Sequence, residues 1–123
     1  MRAQIRPLML VLAAVLAAGC GGAPTVREPT GSFTVTLDDY LIRPQRIRVP
    51  KGEPLKVTVV NHGRLGHTFR IRSVNHNVLK ITTIPPGGST TSRSFTLAAG
   101  RYTMFCALSN HEELGMSGTL VVG

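Results

Sequence analysis

The segment from Gly100 to Gly123 reads GRYTMFCALSNHEELGMSGTLVVG, and it contains the most informative pattern in the chain. Its two apolar ends predict the last two strands of a β domain, joined by a loop. In that loop Cys106, His111 and Met116 have the spacing C-x4-H-x4-M. A thiolate, an imidazole and a thioether so close together are typical ligands of a soft or borderline metal ion.

A second histidine is needed to complete such a site. His67 opens the apolar strand HTFRI, directly after the turn NHGRLG. If this strand runs antiparallel to the one that ends at Cys106, the two residues lie at the same end of the domain. His62 and His76 are the competing candidates, but each lies in a turn-like stretch, so the pattern favours His67.

The kind of donor indicates which metal is expected. Two imidazoles and a thiolate, with a weak axial thioether, suit copper that cycles between Cu(I) and Cu(II). Structural zinc sites favour closed sets of Cys and His and rarely include Met. A dinuclear copper centre would need a second cysteine in the loop, and the loop has only Cys106. The sequence therefore predicts one mononuclear copper site.

The rest of residues 32–123 alternates between apolar and polar side chains, which predicts half-buried strands. The alternating apolar positions are Phe33, Val35, Leu37, Ile47, Val49, Leu55, Val57, Val59, Phe69, Ile71, Leu120 and Val122. Pro and Gly clusters separate these runs and are suited to turns. We expect an all-β fold, a Greek-key β-sandwich of seven to eight strands. Many functions share such a sandwich, so the fold alone specifies no chemistry.

These features together resemble the cupredoxins, the blue copper proteins that include plastocyanin, azurin and amicyanin. The family pattern of a Gly-x-Tyr strand, the Cys-His-Met loop and a Gly-x-hydrophobic strand matches residues 100–120. Pro44, Ile47, Val49 and Gly52 are similar to the family's second-strand region, and Asn61 precedes the ligand strand. The resemblance covers nearly all of residues 32–123.

The resemblance implies a role for each matching residue. His67 and His111 would be the imidazole ligands of one type 1 copper ion, Cys106 the thiolate and Met116 the axial ligand. Many small members of the family carry Asn after the first histidine, where its side chain pins the cysteine loop. Here Thr68 follows His67, and its hydroxyl either replaces that contact or belongs to an ordinary β-branched strand residue.

Residues 1–19 are expected to be an export signal, with a basic start and an eleven-residue apolar run that is too short to span a bilayer. LAAGC at residues 16–20 resembles the lipobox of bacterial lipoproteins, which implies acylation of Cys20. Residues 20–31 then read as a lipidated Cys and a flexible tether, whose eleven residues after Cys20 could reach roughly 35 Å. The domain would be extracytoplasmic, on the periplasmic or outer cell-surface side of a membrane.

The charge of the chain narrows the expected partners. Removing Arg2 and Arg6 from the 14 Lys and Arg leaves 12, against 6 Asp and Glu, so residues 20–123 carry +6. An acidic partner surface or anionic headgroups suit this charge. The chain has few aromatic residues and no recognised nucleic-acid-binding motif, so we do not expect it to bind nucleic acid.

The family works by electron transfer, so the resemblance implies a one-electron carrier between redox proteins such as a cytochrome, copper oxidase or reductase. We expect the protein to be a monomer. Storage or delivery of copper to a cuproenzyme is the alternative. An enzyme is not expected, because protein donors fill all four positions and no small-molecule substrate is needed. Leu65, Leu108, Leu114 and Gly115 are expected to form an apolar collar beside the His111 edge, and Met104 is expected in the core.

Overall fold

The computed structural model describes residues 21–123 as ten strands. The predicted signal segment and Cys20 lie outside the described residues. Within them there is no helix, and hence none that is long and apolar enough to cross a membrane. The strands are β1 (Thr25–Arg27), β2 (Ser32–Asp38), β3 (Leu41–Arg43), β4 (Arg46–Val49), β5 (Lys56–Asn61), β6 (His67–Arg72), β7 (Asn77–Ile84), β8 (Ser89–Thr91), β9 (Gly100–Phe105) and β10 (Ser117–Val122).

The strands form two sheets. The larger has the order β1-β4-β10-β9-β6-β7, and the smaller has the order β3-β2-β5-β8. Parallel pairs join β1 to β4, β4 to β10 and β2 to β5, whereas the remaining neighbours are antiparallel. Both sheets are therefore mixed, and the chain crosses repeatedly between them. The predicted β-sandwich is confirmed.

The core between the sheets is built by the alternating apolar residues. All twelve positions predicted from the alternation are buried, as are Met104 and Met116. Each fully buried aliphatic or aromatic side chain contributes about 1.5–3 kcal/mol by leaving water. This core lies wholly within residues 33–122, so a protein that begins at Gly21 keeps the whole of this core and all ten described strands.

The described residues contain ten strands, more than the seven to eight predicted. Three of the ten, β1, β3 and β8, have only three residues each, too few to show an alternating pattern. β1 lies inside the segment predicted to be a tether, and its residues are exposed. It pairs in register with β4, so three residues of that segment belong to the larger sheet and the free reach is shorter than 35 Å.

The antiparallel pairing of β6 with β9 positions the site. Arg70 pairs with Phe105 and Ile71 with Met104. Continuing this register brings the start of β6 beside the residues that follow β9. His67 and Cys106 therefore lie at the same end of the sandwich, as predicted.

Candidate metal centre

Three ligand-type side chains converge at that end of the sandwich. His67 Nδ1 lies 3.2 Å from His111 Nδ1, and Cys106 Sγ lies 4.0 Å from the first nitrogen and 3.7 Å from the second. His67 and Cys106 are completely buried, and His111 is 8% exposed. Among the described residues these three form a group whose ligand atoms all lie within 4.8 Å of one another. His62 and His76 are outside this cluster, as predicted.

The spacing of the three atoms fits one bound metal ion. Bonds of about 2.0 Å to imidazole and about 2.3 Å to thiolate, arranged trigonally, would separate the nitrogens by about 3.5 Å and each nitrogen from sulfur by about 3.7 Å. The observed separations differ from these values by only a few tenths of an ångström. Two imidazoles, a thiolate and a nearby thioether are the donor set of a type 1 copper site.

Met116 is held next to the cluster by its backbone. Its N–H donates to the carbonyl of His111 at 3.0 Å, and its carbonyl accepts from the N–H of Cys106 at 3.2 Å. The side chain is completely buried. Both hydrogen bonds tie Met116, the residue before β10, to Cys106 and His111, so its buried side chain starts beside the cluster.

The loop from Cys106 to Met116 is a series of tight turns. The N–H of His111 donates to Leu108, and that of Leu114 donates to Asn110. Gly115 has a φ of +119°. A Cβ added to it would lie 3.1 Å from the carbonyl oxygen of Tyr40. A glycine is therefore suited to this turn, because a larger residue would be strained and crowded.

Thr68 takes over the pinning of the cysteine loop. Its hydroxyl oxygen accepts a hydrogen bond from the N–H of Ala107 at 2.8 Å and lies 3.6 Å from Cys106 Sγ. Of the two readings that the sequence left open, the structure thus favours the hydroxyl as a replacement for the family's Asn. With the oxygen already accepting, the hydroxyl hydrogen is available to the sulfur.

Asp39 is a site residue that sequence reasoning missed. Its Oδ1 lies 2.8 Å from His67 Nε2, on the side of the ring away from the cluster. Hydrogen bonds from the backbone N–H of Arg64, then from His67, hold the pKa of Asp39 below its ordinary value. As the acceptor of the Nε2 proton, this carboxylate leaves Nδ1 free to bind a metal and fixes the ring orientation.

Asn61 and Gly63 shape the loop that carries His67. The buried Asn61 amide donates to the carbonyls of Leu65 and Ile84 and accepts from the N–H of Gly63. A Cβ on Gly63 would lie 2.3 Å from Asp39 Oδ1 and 2.9 Å from His67 Nε2. Only a residue without a side chain therefore allows the carboxylate to reach the imidazole.

The surface near His111 is apolar. Tyr40, Leu65, Leu108 and Leu114 are the exposed large apolar side chains of the loops at this end, with Leu114 52% exposed. Tyr40 packs edge-on against the His111 ring, at a centroid distance of 5.3 Å. All four residues of the predicted collar, Leu65, Leu108, Leu114 and Gly115, are therefore exposed. Tyr40 joins them, and no sequence pattern indicated its positive φ of 64°.

Comparison with known families identifies the class of protein. The family described as the cupredoxin-like domain matches residues 8–122, so the chain belongs to this family. The donors, their spacing and the family together define a site for one copper ion of type 1. No curated protein matches the chain in sequence.

Several solved structures share the fold. Auracyanin from the photosynthetic bacterium Roseiflexus castenholzii, in its dithionite-reduced form, is 18% identical with a TM-score of 0.70, covering 78% of this chain and 99% of its own. Rusticyanin from Thiobacillus ferrooxidans is 20% identical with a TM-score of 0.65, covering 84% of each chain. Auracyanin B is 17% identical with a TM-score of 0.68, covering 78% of this chain and 91% of its own. At such identities the likeness concerns the fold.

Proposed function

We propose that the protein is an extracytoplasmic, membrane-anchored one-electron carrier that uses a single type 1 copper ion. The observation that carries the proposal is the buried cluster of His67, Cys106 and His111, with Met116 beside it. In the proposal these four residues are the ligands, with Met116 in the axial position. Copper held in this way supplies reversible one-electron chemistry between Cu(I) and Cu(II).

The protein's own contribution is to hold its donors still. The Asp39 carboxylate orients the His67 ring, and the Thr68 hydroxyl fixes the cysteine loop through Ala107. Because these contacts exist within the folded chain, the donors need little rearrangement when the oxidation state changes. Small rearrangement favours fast electron transfer, and burial together with hydrogen bonds to the sulfur tunes the potential.

His111 is the route by which we expect electrons to leave the site. It is the most exposed of the four proposed ligands, and Tyr40 packs edge-on against its ring. The other collar residues lie in the loops at the same end of the sandwich. An exposed apolar patch of this kind suits a short-lived contact with a redox partner. The partner class is another redox protein, such as a cytochrome, copper oxidase or reductase.

Burial of the donors supports a carrier over a copper-delivery protein. Delivery requires release of the ion, whereas His67 and Cys106 are completely buried behind the His111 edge. In the proposal, four protein donors leave no position for a substrate, so the protein would act as a carrier and not as an enzyme. A monomer is sufficient for this role, because one chain supplies all four donors.

The anchor and location are inferred from residues 1–20. The apolar run and LAAGC ending at Cys20 support export and acylation, which would hold the domain on the outer side of a membrane. Acylation of Cys20 can be checked by mass spectrometry of the protein purified from membranes. A Cys20→Ser variant that appears in the soluble fraction would support the anchor, and an unmodified Cys20 would contradict it.

The carrier role is tested by redox cycling and by transfer. We expect the copper-loaded protein to be bleached by a reductant and restored by an oxidant over many cycles, with the copper retained by elemental analysis. Electron self-exchange should slow at least tenfold in Leu114→Lys, since like charges would then meet at the collar. Loss of copper on each cycle would instead indicate delivery or storage.

The control for this experiment is Val74→Lys, a change at an exposed apolar residue outside the collar. It adds the same charge and should leave self-exchange within about twofold of the original protein, because it lies away from the contact. Equal slowing in both variants would show that net charge, and not the collar, controls the rate.

A further inference from the structure

The outer face of the larger sheet concentrates basic residues. Side chains alternate between the two faces of a strand, so residues that do not enter the core lie on the outside. Seven of the 12 Lys and Arg that follow the signal segment lie on this outside surface, which we name the basic face. They are Arg27, Arg46, Arg48, Arg70, Arg72, Lys80 and Arg101.

The strand register makes these residues neighbours. One row across β1, β4, β10 and β9 contains Arg27, Arg48, Val121 and Arg101 in that order. Three of its four residues are therefore arginines. Rows of this kind place side chains on adjacent strands about 5 Å apart. Arg70 and Lys80 form a second direct pair on β6 and β7. The basic face therefore holds two groups of adjacent positive charges on one sheet.

Acidic residues do not cancel this charge. Among the described side chains, a carboxylate pairs with only one member of the basic face, Arg72, which contacts Glu112. The outer face of the smaller sheet differs, because its basic residues Arg43 and Lys56 share it with Asp38, which pairs with Arg43. The protein thus has one strongly positive face and one nearly neutral face.

The chain enters the domain at the edge of the basic face. A Cβ on Gly22 would lie 3.1 Å from Arg46 Nη2, so the backbone passes directly beside that side chain. Three residues later β1 joins the same sheet as its edge strand. Cys20 is two residues before Gly22, and two residues span at most about 7 Å. A lipid on Cys20 would therefore enter the membrane beside the basic face.

From these observations we infer that the basic face lies on anionic lipid headgroups of the membrane that holds the protein. The position of the anchor beside this face depends on the proposed acylation of Cys20, whereas the charge of the face does not. An acyl anchor and a basic patch act together in membrane binding. His111 lies at the end of the two sheets and not on this face, so a domain docked in this way leaves the collar accessible to a redox partner.

Vesicle binding by the copper-loaded protein from Gly21 onward tests the inference without any lipid anchor. We expect it to bind vesicles with 30% phosphatidylglycerol and not vesicles of phosphatidylcholine, and to dissociate in high salt. Arg27→Gln, Arg46→Gln and Arg101→Gln together remove three exposed charges of the basic face. Since each basic residue near such a surface contributes about a fivefold gain, this triple variant should bind about a hundredfold more weakly.

A matched variant with the same net charge separates the face from the overall charge. Lys51→Gln, Lys56→Gln and Arg93→Gln also remove three exposed charges, all outside the basic face. This variant should keep its vesicle affinity within about fivefold of the original. The visible copper spectrum of each variant serves as the check that the site and fold are intact.

The inference is overturned if both triple variants weaken binding equally, or if the original protein ignores phosphatidylglycerol vesicles. The protein could also ignore the vesicles but bind an acidic redox protein in a way that depends on salt and on the basic face. That result would assign the face to a protein partner instead. Because the protein used has no Cys20, failure here is distinct from failure of the proposed anchor. The copper spectrum likewise reports separately on the proposed carrier site.

Discussion

Replacing Thr68 by valine tests how the cysteine loop is held. Valine has nearly the same shape as threonine but lacks the hydroxyl, so it removes the 2.8 Å acceptor of the Ala107 N–H without opening a cavity. Thr68 is only 7% exposed, and water cannot easily take the place of the hydroxyl. Leaving a buried donor without a partner costs about 1–3 kcal/mol, so the free energy of unfolding should fall by that amount.

The same substitution should lower the reduction potential. The hydroxyl lies 3.6 Å from Cys106 Sγ. A hydrogen directed at the thiolate stabilises its negative charge, which is greater in the reduced state. A weak hydrogen bond contributes about 0.5–1.5 kcal/mol. With 59 mV for a tenfold change in a one-electron equilibrium, the expected decrease is about 20–60 mV.

Two assays read out these effects. Urea unfolding of the metal-free protein gives the change in stability, and spectroelectrochemical titration of the copper-loaded protein gives the potential. Thr68→Ser is the matched control, because it keeps the hydroxyl and should retain most of the original potential. If Thr68→Val changes neither quantity, or if Thr68→Ser changes the potential as much, the hydroxyl does not hold the loop.

Three further predictions concern the surroundings of the site. Asp39→Asn replaces the carboxylate on His67 by a neutral amide. It should raise the reduction potential by tens of millivolts, because the anion favours Cu(II). A redox titration that shows no rise would contradict this electrostatic role. Gly63→Ala should lower the free energy of unfolding by about 1–3 kcal/mol, since the added Cβ overlaps Asp39 Oδ1. Gly21→Ala, where nothing lies within 4 Å, should have no effect on urea unfolding. Removal of copper should lower the melting temperature in calorimetry, because the ion binds only the folded state, and equal melting of both forms would show that the ion does not stabilise the fold.

The core and the ligand cluster were predictable because their signals are local. Alternation within single strands identified twelve core positions from Phe33 to Val122, and each proved buried. Other core residues, such as Ile42, Ile84 and Leu97, lie outside these alternating runs. Three of the candidate donors lie within eleven residues of one another, so their convergence required only one loop. His67 needed in addition the correct antiparallel pairing of β6 with β9.

The contacts around the cluster were not predictable, because they join distant parts of the chain. Asp39 lies 28 residues before His67, and its carboxylate reaches the ring only through the tight turn at Tyr40 and the approach of the loop at Gly63. Strand β1 escaped prediction for a different reason. Its three exposed residues carry no apolar pattern, and their place is determined by pairing with β4 alone.

The most direct test is the copper spectrum of residues 21–123, produced without metal and titrated with Cu(II). We expect an intense thiolate-to-copper absorption band that saturates at one equivalent, with the narrow EPR hyperfine splitting of a type 1 site. Both signals should be absent in Cys106→Ser. A colourless protein, or one with only the spectrum of an ordinary type 2 copper centre, would contradict the assignment of a blue copper carrier.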